Sequence, residues 1–350
     1  MSKVDVKFKD ELKKYGAPNF NACYNCGNCT AVCSLSDEDN SFPRKMLRYS
    51  VLGQKGEITA SLEPWLCYYC GECSSTCPRE ANPGELMMSL RRYLTSKYDW
   101  TGLAGLLYKS LFSTITAFII LALGIIWFAF RQEFVTEKLL HYGHYFEIIA
   151  ISIVFLFILL PDILHMWWLT IVKQKIKIPI LLYFKVLGEL FIHMFTQKRT
   201  LDCEDSRIRW FEHLILVFGY LALLFTTVFL NWFETQNTII IALGYIESAI
   251  IFIVTAIFIF ERFKKRHEIS KFAHPSDWFF VIWLFLMGLT AFVVRFFIDL
   301  NILEVNNWIY IVHLIVLVQW AIIIVPFGKW THFLYRSFAM YFDKLKNASK

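Results

Sequence analysis

The hydrophobic pattern of the chain changes near residue 105. Before that point apolar and polar positions alternate over short distances, as in a small soluble domain. Beyond it apolar residues run on long enough to cross a bilayer as a helix, which needs about 20 of them. Six stretches qualify, at about 108–130, 144–172, 210–230, 239–260, 278–298 and 308–327. The second carries Glu147, Pro161, Asp162 and His165, so its ends are the least sharply marked. Residues 176–200 read as an amphipathic segment lying at the membrane surface. In the first hundred residues, Ser41 near a cap and Pro43 in a first turn open a helix over 41–49. Leu86, Leu90 and Leu94 recur at helical spacing in a second one over 83–96. The expected fold is all-α, with a small helical domain over 1–100 and a six-helix transmembrane bundle over 101–350.

Composition sharpens the division. The chain is 57% hydrophobic and 18% charged, with 34 Phe and 12 Trp among 350 residues. That excludes a disordered tail, a collagen-like chain or a small disulfide module. The net charge of +6 splits into +1 for residues 1–100 (13 basic, 12 acidic) and +5 for the rest (22 basic, 17 acidic). No basic stripe lies on a soluble face, so no nucleic-acid footprint is expected. Lys and Arg gather instead in the 173–209 and 262–271 loops and the C-terminal tail, and are absent from 231–237 and 299–307. By the positive-inside rule the N-terminal domain, both basic loops and the C-terminus face the cytoplasm. Six spans, an even number, agree with that. Residues 1–15 are mixed-charge and lack the apolar core of a signal peptide. The expected location is the cytoplasmic membrane, crossed several times.

Eight cysteines form two motifs of the same spacing, C-x2-C-x2-C-x3-C. They are Cys23, Cys26, Cys29 and Cys33, then Cys67, Cys70, Cys73 and Cys77. In a reducing compartment such runs bind metal rather than pair as disulfides. Three closely spaced cysteines can wrap one iron–sulfur cubane while the fourth reaches the other cluster. The expected ligand sets are therefore Cys23, Cys26, Cys29 and Cys77 for one [4Fe–4S] cluster and Cys67, Cys70, Cys73 and Cys33 for the other, in a ferredoxin-like domain. A structural zinc site fits poorly, because zinc wants four tetrahedral ligands, usually from two separated pairs. Ser34 stands where such motifs commonly have proline. Cys203, alone in a basic loop, reads as a free thiol.

The membrane part holds all nine histidines: 141, 144, 165, 193, 213, 267, 274, 313 and 332. Ionisable groups within spans are costly and mark functional sites by default. A haem b in a helical bundle needs two imidazoles facing each other at matched depth. His213 opens the third span and His332 follows the sixth, on the inner side. His313 and His144 sit near the outer starts of the sixth and second spans. At about 1.5 Å per residue, His313 and His332 would stand about 28 Å apart along one helix. The expected pairs are His213 with His332 for an inner haem and His144 with His313 for an outer one. His165 and His193 rival the inner pair, and His141 rivals His144. His267 and His274 read as solvated.

At these residues the chain resembles known families. The Cys23–Ala31 run and the Trp65–Pro78 run resemble the small iron–sulfur subunit of heterodisulfide reductases. Arg209-Trp210-Phe211-Glu212-His213, Asp277-Trp278, Trp308 to His313 and Pro326 to Arg336 resemble their cytochrome b subunit and the gamma subunit of respiratory nitrate reductases. The two modules fused in this order resemble the membrane subunits of quinone-interacting membrane-bound oxidoreductase complexes. The chain departs from the nitrate-reductase pattern at Leu223, where that family has a second histidine ten residues after the first. An outer haem would then need a ligand from another span, and without one only a single haem is present.

The resemblance implies a membrane subunit with haem b and two [4Fe–4S] clusters. It would link menaquinone or ubiquinone, as substrate, to cytoplasmic flavin and iron–sulfur subunits, with adenylylsulfate reductase as a soluble acceptor. No Gly-rich dinucleotide motif is present, so any flavin belongs to a partner. Glu147, Asp162, Glu189 and Glu247 are acidic groups that could exchange quinone protons, although packing or interfacial roles are the simpler reading of each. Two other classes compete. One is a heterodisulfide-reductase-like membrane anchor whose clusters are structural or sensory, with no quinone chemistry of its own. The other is a transporter, which would show internal repeats in the membrane part, and none is evident.

Overall fold

The computed structural model describes residues 4–17, 19–38, 40–197, 207–265 and 271–349. Every regular element among them is helical. Phe8–Lys13, Arg44–Val51, Lys55–Ala60 and Pro83–Tyr98 make a small bundle around Phe8, Leu12, Met46, Ile58, Leu90 and Leu94, all buried. The Pro83–Tyr98 helix is its axis, and its one-sided leucine pattern becomes a helix buried almost all round. Two short helices, Asn28–Ala31 and Glu72–Ser75, each follow a cysteine loop.

Among the described residues six helices are long and apolar enough to cross a membrane. The first, third, fourth and fifth are Leu111–Arg131, Arg207–Val228, Thr238–Lys264 and Pro275–Asp299. Capping explains several starts: Ser110 Oγ accepts from Ser113 N, and the Asn237 side chain accepts from Ile239 N. Their outward faces carry Phe112, Ile120, Trp127, Phe225 and Ile239, all exposed, as a helix solvated by lipid requires.

The second helix starts at Thr136, earlier than the expected 144, and continues to Val172. Its 37 residues extend about 55 Å, well beyond a hydrocarbon core of about 30 Å. It carries two π-helical segments, Val154–Leu159 and Trp168–Val172. The Trp100 indole donates to the Phe157 carbonyl at 2.9 Å, satisfying a group inside the first of them. The sixth helix also has a π segment, Trp320–Ile324, and ends near the expected 327. Gly328 then takes an extended backbone where any Cβ would meet the Ile324 carbonyl oxygen at 2.6 Å. The chain turns there and restarts as Thr331–Ala348. His313 and His332 are thus on different helices, so the straight-helix spacing expected between them does not apply.

The division expected at residue 100 does not divide the core. The buried cluster of the N-terminal domain continues through Tyr108 to Met166, Leu190, Tyr335 and Phe342. The amphipathic stretch forms two helices, Ile180–Lys185 and Leu187–Thr196, which pack on Thr331–Ala348. Ile180, Leu181 and Phe184 remain exposed, as on a surface that meets lipid.

Candidate functional site

The two cysteine motifs share one backbone path. Asn25 and Gly27 in the first, and Tyr69 and Gly71 in the second, have positive φ (64°, 90°, 58° and 95°). Alternating left-handed residues curl each loop around its sulfurs, and glycine takes that conformation without a Cβ penalty. Asn25 N donates to Cys23 Sγ at 3.3 Å, and Tyr69 N to Cys67 Sγ at 3.3 Å. Ala81 N reaches Cys77 Sγ at 3.4 Å. These amide donors suit thiolate charge.

The electrostatic neighbourhoods cross between motifs. Cys29 lies among Cys23, Cys26 and Cys77. Cys73 lies among Cys67, Cys70, Cys33 and Cys29. Cys33 itself faces Cys67 and Cys70 before Cys29. The fourth cysteine of each run thus stands with the other motif. Asn28 Nδ2 ties the two loops by donating to the Thr76 carbonyl at 2.6 Å. Among the described residues no three His, Cys, Asp or Glu side chains converge as one metal ion needs. Burial pushes the Cys29 and Cys33 thiols up to about 11, and the Cys73 thiol further in the same direction. Without the positive charge of iron these sulfurs hold their protons, and loading a cluster releases them.

The second cysteine loop is seated on the membrane helices. Arg91, buried on Pro83–Tyr98, donates through Nε to the Pro64 carbonyl at 2.6 Å and through Nη2 to the Cys67 carbonyl. Its Nη1 lies 3.2 Å from Nδ1 of His332. Desolvation holds the Arg91 guanidinium down to about 9, helped by Arg336. Trp65, only 1% exposed, has its ring 6.0 Å from the His332 ring and 5.2 Å from that of Tyr335. Tyr335 donates to Asp162 at 3.0 Å. Around His332 stand Arg91, Arg336, Lys329 and His213. The structure therefore brings the expected inner pair, His213 and His332, into one neighbourhood, with His213 keeping an exposed face.

These residues fit a haem as a donor set: two imidazoles, with cations nearby to match two propionates. One contact competes. Arginine only donates, so the His332 nitrogen facing Arg91 is a lone pair. The same Nη1 lies 3.5 Å from Nε2, so Arg91 stands against both ring nitrogens and an iron at His332 would displace it.

A second ionic cluster locks the domains together beside this point. Arg92, 5% exposed, donates to the Tyr15 carbonyl at 2.7 Å, to Asp277 at 2.9 Å and to Glu85 at 3.3 Å. Lys329 pairs with Asp277 at 2.8 Å, and Tyr69 donates to Glu85 at 2.5 Å. Burial raises Glu85 to about 7 against the opposing pull of Arg92.

Toward the far side, a cavity of about 300 Å³ lies between the second, third, fifth and sixth spans. Its wall is apolar apart from a few groups, among them His313 and Glu147. His313 is 2% exposed, with Nδ1 2.9 Å from Thr290 Oγ1. The Thr290 hydroxyl donates to the Leu286 carbonyl at 2.7 Å, so toward His313 it accepts. That places the His313 proton on Nδ1 and leaves Nε2 as a base. The expected outer pair is not assembled here. His144 is not part of the lining, and its ring meets Tyr145 edge-on. Its neighbour Gly143 abuts Tyr310 and Leu314, and Glu147, one turn further, faces the cavity. Helical phase decides this, because a neighbouring position is turned about 100° away.

The other histidines have structural partners. His165 Nδ1 donates to the Tyr98 carbonyl at 3.0 Å, and His193 is buried on the surface helix. His141 packs against Tyr145. His274 is not solvated as expected: it caps Pro275–Asp299 and its ring lies over Gly16 and near Tyr108. His267 and Cys203 lie outside the described residues. Sequence reasoning missed Arg91, Arg92, Glu85, Trp65 and Thr290. The available signal was two adjacent arginines in an otherwise buried helix, which demand partners.

A family model described as a 4Fe-4S dicluster domain matches residues 22–81, the stretch holding all eight motif cysteines. No curated protein and no solved structure matches the chain. The chain thus joins a 4Fe-4S dicluster domain to six helices able to cross a membrane, which fits an iron–sulfur redox protein of the membrane.

Proposed function

We propose that the chain is the membrane subunit of a respiratory redox complex, linking the quinone pool to flavin and iron–sulfur partners in the cytoplasm. The observation that carries this is the junction at Arg91 and Trp65. One side of it is the Cys67 carbonyl, in a cluster loop, and the other is His332, beside His213. A binding module with structural clusters has no need to press a cluster loop against an imidazole pair. Cys23, Cys26, Cys29 and Cys77 hold one cluster, and Cys67, Cys70, Cys73 and Cys33 the other. His213 and His332 hold a haem b. Bound there, these groups supply one-electron carriers, which two-electron quinol and flavin chemistry requires at its junction.

The protein's own contribution is placement. Trp65 and Tyr335 fill the gap between cluster loop and membrane helices and exclude water from it. Arg91 fixes the Cys67 loop through two backbone carbonyls. Adenylylsulfate reductase as the soluble acceptor, and with it a place in sulfur metabolism, rests on the family resemblance alone. The cytoplasmic face of the cluster domain rests on the basic loops at 173–209 and 262–271 and the basic C-terminal tail.

One observation favours the plainer reading of an anchor without quinone chemistry: Arg91 Nη1 stands within 3.5 Å of both His332 ring nitrogens, where an iron would bind. Visible spectra of the purified protein decide between them. The quinone-linked reading expects a b-type haem spectrum that bleaches and re-forms with added quinone and quinol, plus about eight cluster irons. It expects His332→Ala and His213→Ala each to remove the inner haem band while leaving cluster iron unchanged. A protein with eight irons and no haem band refutes it.

A further inference from the structure

We infer that the cavity at His313 is a binding site for a quinone headgroup and that it does not hold a second haem. This deepens the proposed function and rests on it. The first argument is the donor count. Bis-imidazole haem needs a second nitrogen opposite His313, and His313 is the one histidine among the lining residues. The third-span residues on the wall are Tyr220, Leu221, Leu223, Leu224 and Thr227, none of them an imidazole. Leu223, at the position of the departure noted in the sequence, is buried there.

The second argument is the pair of polar groups that the cavity does hold. His313 Nε2 is a lone pair, because its other nitrogen is committed to Thr290. Glu147 has no hydrogen-bond or ion-pair partner among the described residues. A carboxyl left unpartnered on an apolar wall is costly unless a ligand meets it. One base and one carboxyl match the two oxygens of a quinol, each of which must shed a proton.

Shape agrees. A volume of about 300 Å³ suits one substituted ring. Phe155 and Phe195 on the rim are themselves exposed, so the slot opens toward lipid, where an isoprenoid tail would remain. Two of the three π-helical segments among the described residues, Val154–Leu159 and Trp320–Ile324, border the cavity through Val154, Phe155, Trp320 and Ala321. Such segments open helix walls and recur at functional sites.

The chemistry balances as follows. A bound quinol breaks two O–H bonds and becomes quinone. One proton goes to His313 Nε2 and one to the Glu147 carboxylate. Two electrons leave singly to oxidised iron centres of the chain, haem b or [4Fe–4S]. Quinone reduction is the reverse.

The test uses the full chain in nanodiscs with two variants, His313→Gln and Glu147→Gln. Haem is counted per chain, and binding of the quinol mimic 2-heptyl-4-hydroxyquinoline N-oxide is titrated by its fluorescence. The expected result is one haem b per chain in all three proteins, one mimic bound by wild type, and at least tenfold weaker binding in each variant. Cluster absorbance unchanged from wild type shows that both variants fold. Two haems in wild type with one lost in His313→Gln overturns the proposal, as does unchanged mimic binding. Reduction by menadiol or decylubiquinol separates the two levels. If wild-type haem and clusters stay oxidised while the mimic binds as described, the quinone-linked function fails and the site stands. If wild type is reduced and both variants bind and react like it, the site fails and the function stands.

Discussion

Arg92→Met tests whether the buried ionic cluster holds the cluster domain on the membrane bundle. The side chain is nearly enclosed and donates to the Tyr15 carbonyl, Glu85 and Asp277, so its loss strips three acceptors at once. Removing one member of a buried ion pair costs about 3–5 kcal/mol, because the partner is left charged without compensation. Two features put the expectation at the lower end. Asp277 keeps Lys329 at 2.8 Å. Glu85, already held at about 7 by burial, protonates once the arginine is gone and so avoids an unpaired charge. The expected loss is therefore about 3 kcal/mol. The measurement is denaturant unfolding in nanodiscs, followed by the visible absorbance of the clusters. Replacing both Arg92 and Glu85 by Met should recover most of the loss, since well-packed apolar groups often match a buried pair. A loss below about 1 kcal/mol for Arg92→Met, the size of an ordinary surface change, would refute the reasoning.

Three further outcomes follow from the same structure. The Glu85 carboxyl is raised from 4.5 to about 7 in the fold, so its stabilising contribution is complete below the unfolded value and is lost as pH rises through about 7. Wild-type stability should fall by about 3 kcal/mol or less across that window, most visibly from pH 5 to 7, and Glu85→Gln should flatten the dependence. Cys33→Ser should impair the cluster held by Cys67, Cys70 and Cys73, which it faces, more than the one held by its own motif. Electron paramagnetic resonance of the two reduced clusters reads this directly, and selective loss of the Cys23, Cys26 and Cys29 cluster would contradict the crossed ligand sets. Gly71→Ala forces a Cβ into the left-handed region at φ 95° and should cost about 1–2 kcal/mol, read as faster loss of cluster absorbance on heating.

The amino-acid sequence by itself determined the helical class, the six apolar spans and the two cysteine runs. Each is a local property: about 20 apolar residues must be helical in lipid, and a C-x2-C-x2-C-x3-C run carries its own geometry. What the sequence could not determine was pairing across elements. Depth along a helix is legible in sequence and rotation about its axis is not, so His144 was matched to His313 when the residue turned into the cavity is Glu147. His274 read as solvated because its loop is charged, whereas the fold uses it as a cap against the N-terminal domain. The break at Gly328, the joining of two expected domains into one core, and the Arg91 contact between Cys67 and His332 are likewise tertiary. They arise from close packing between residues hundreds of positions apart, and only the folded chain sets which side chains meet.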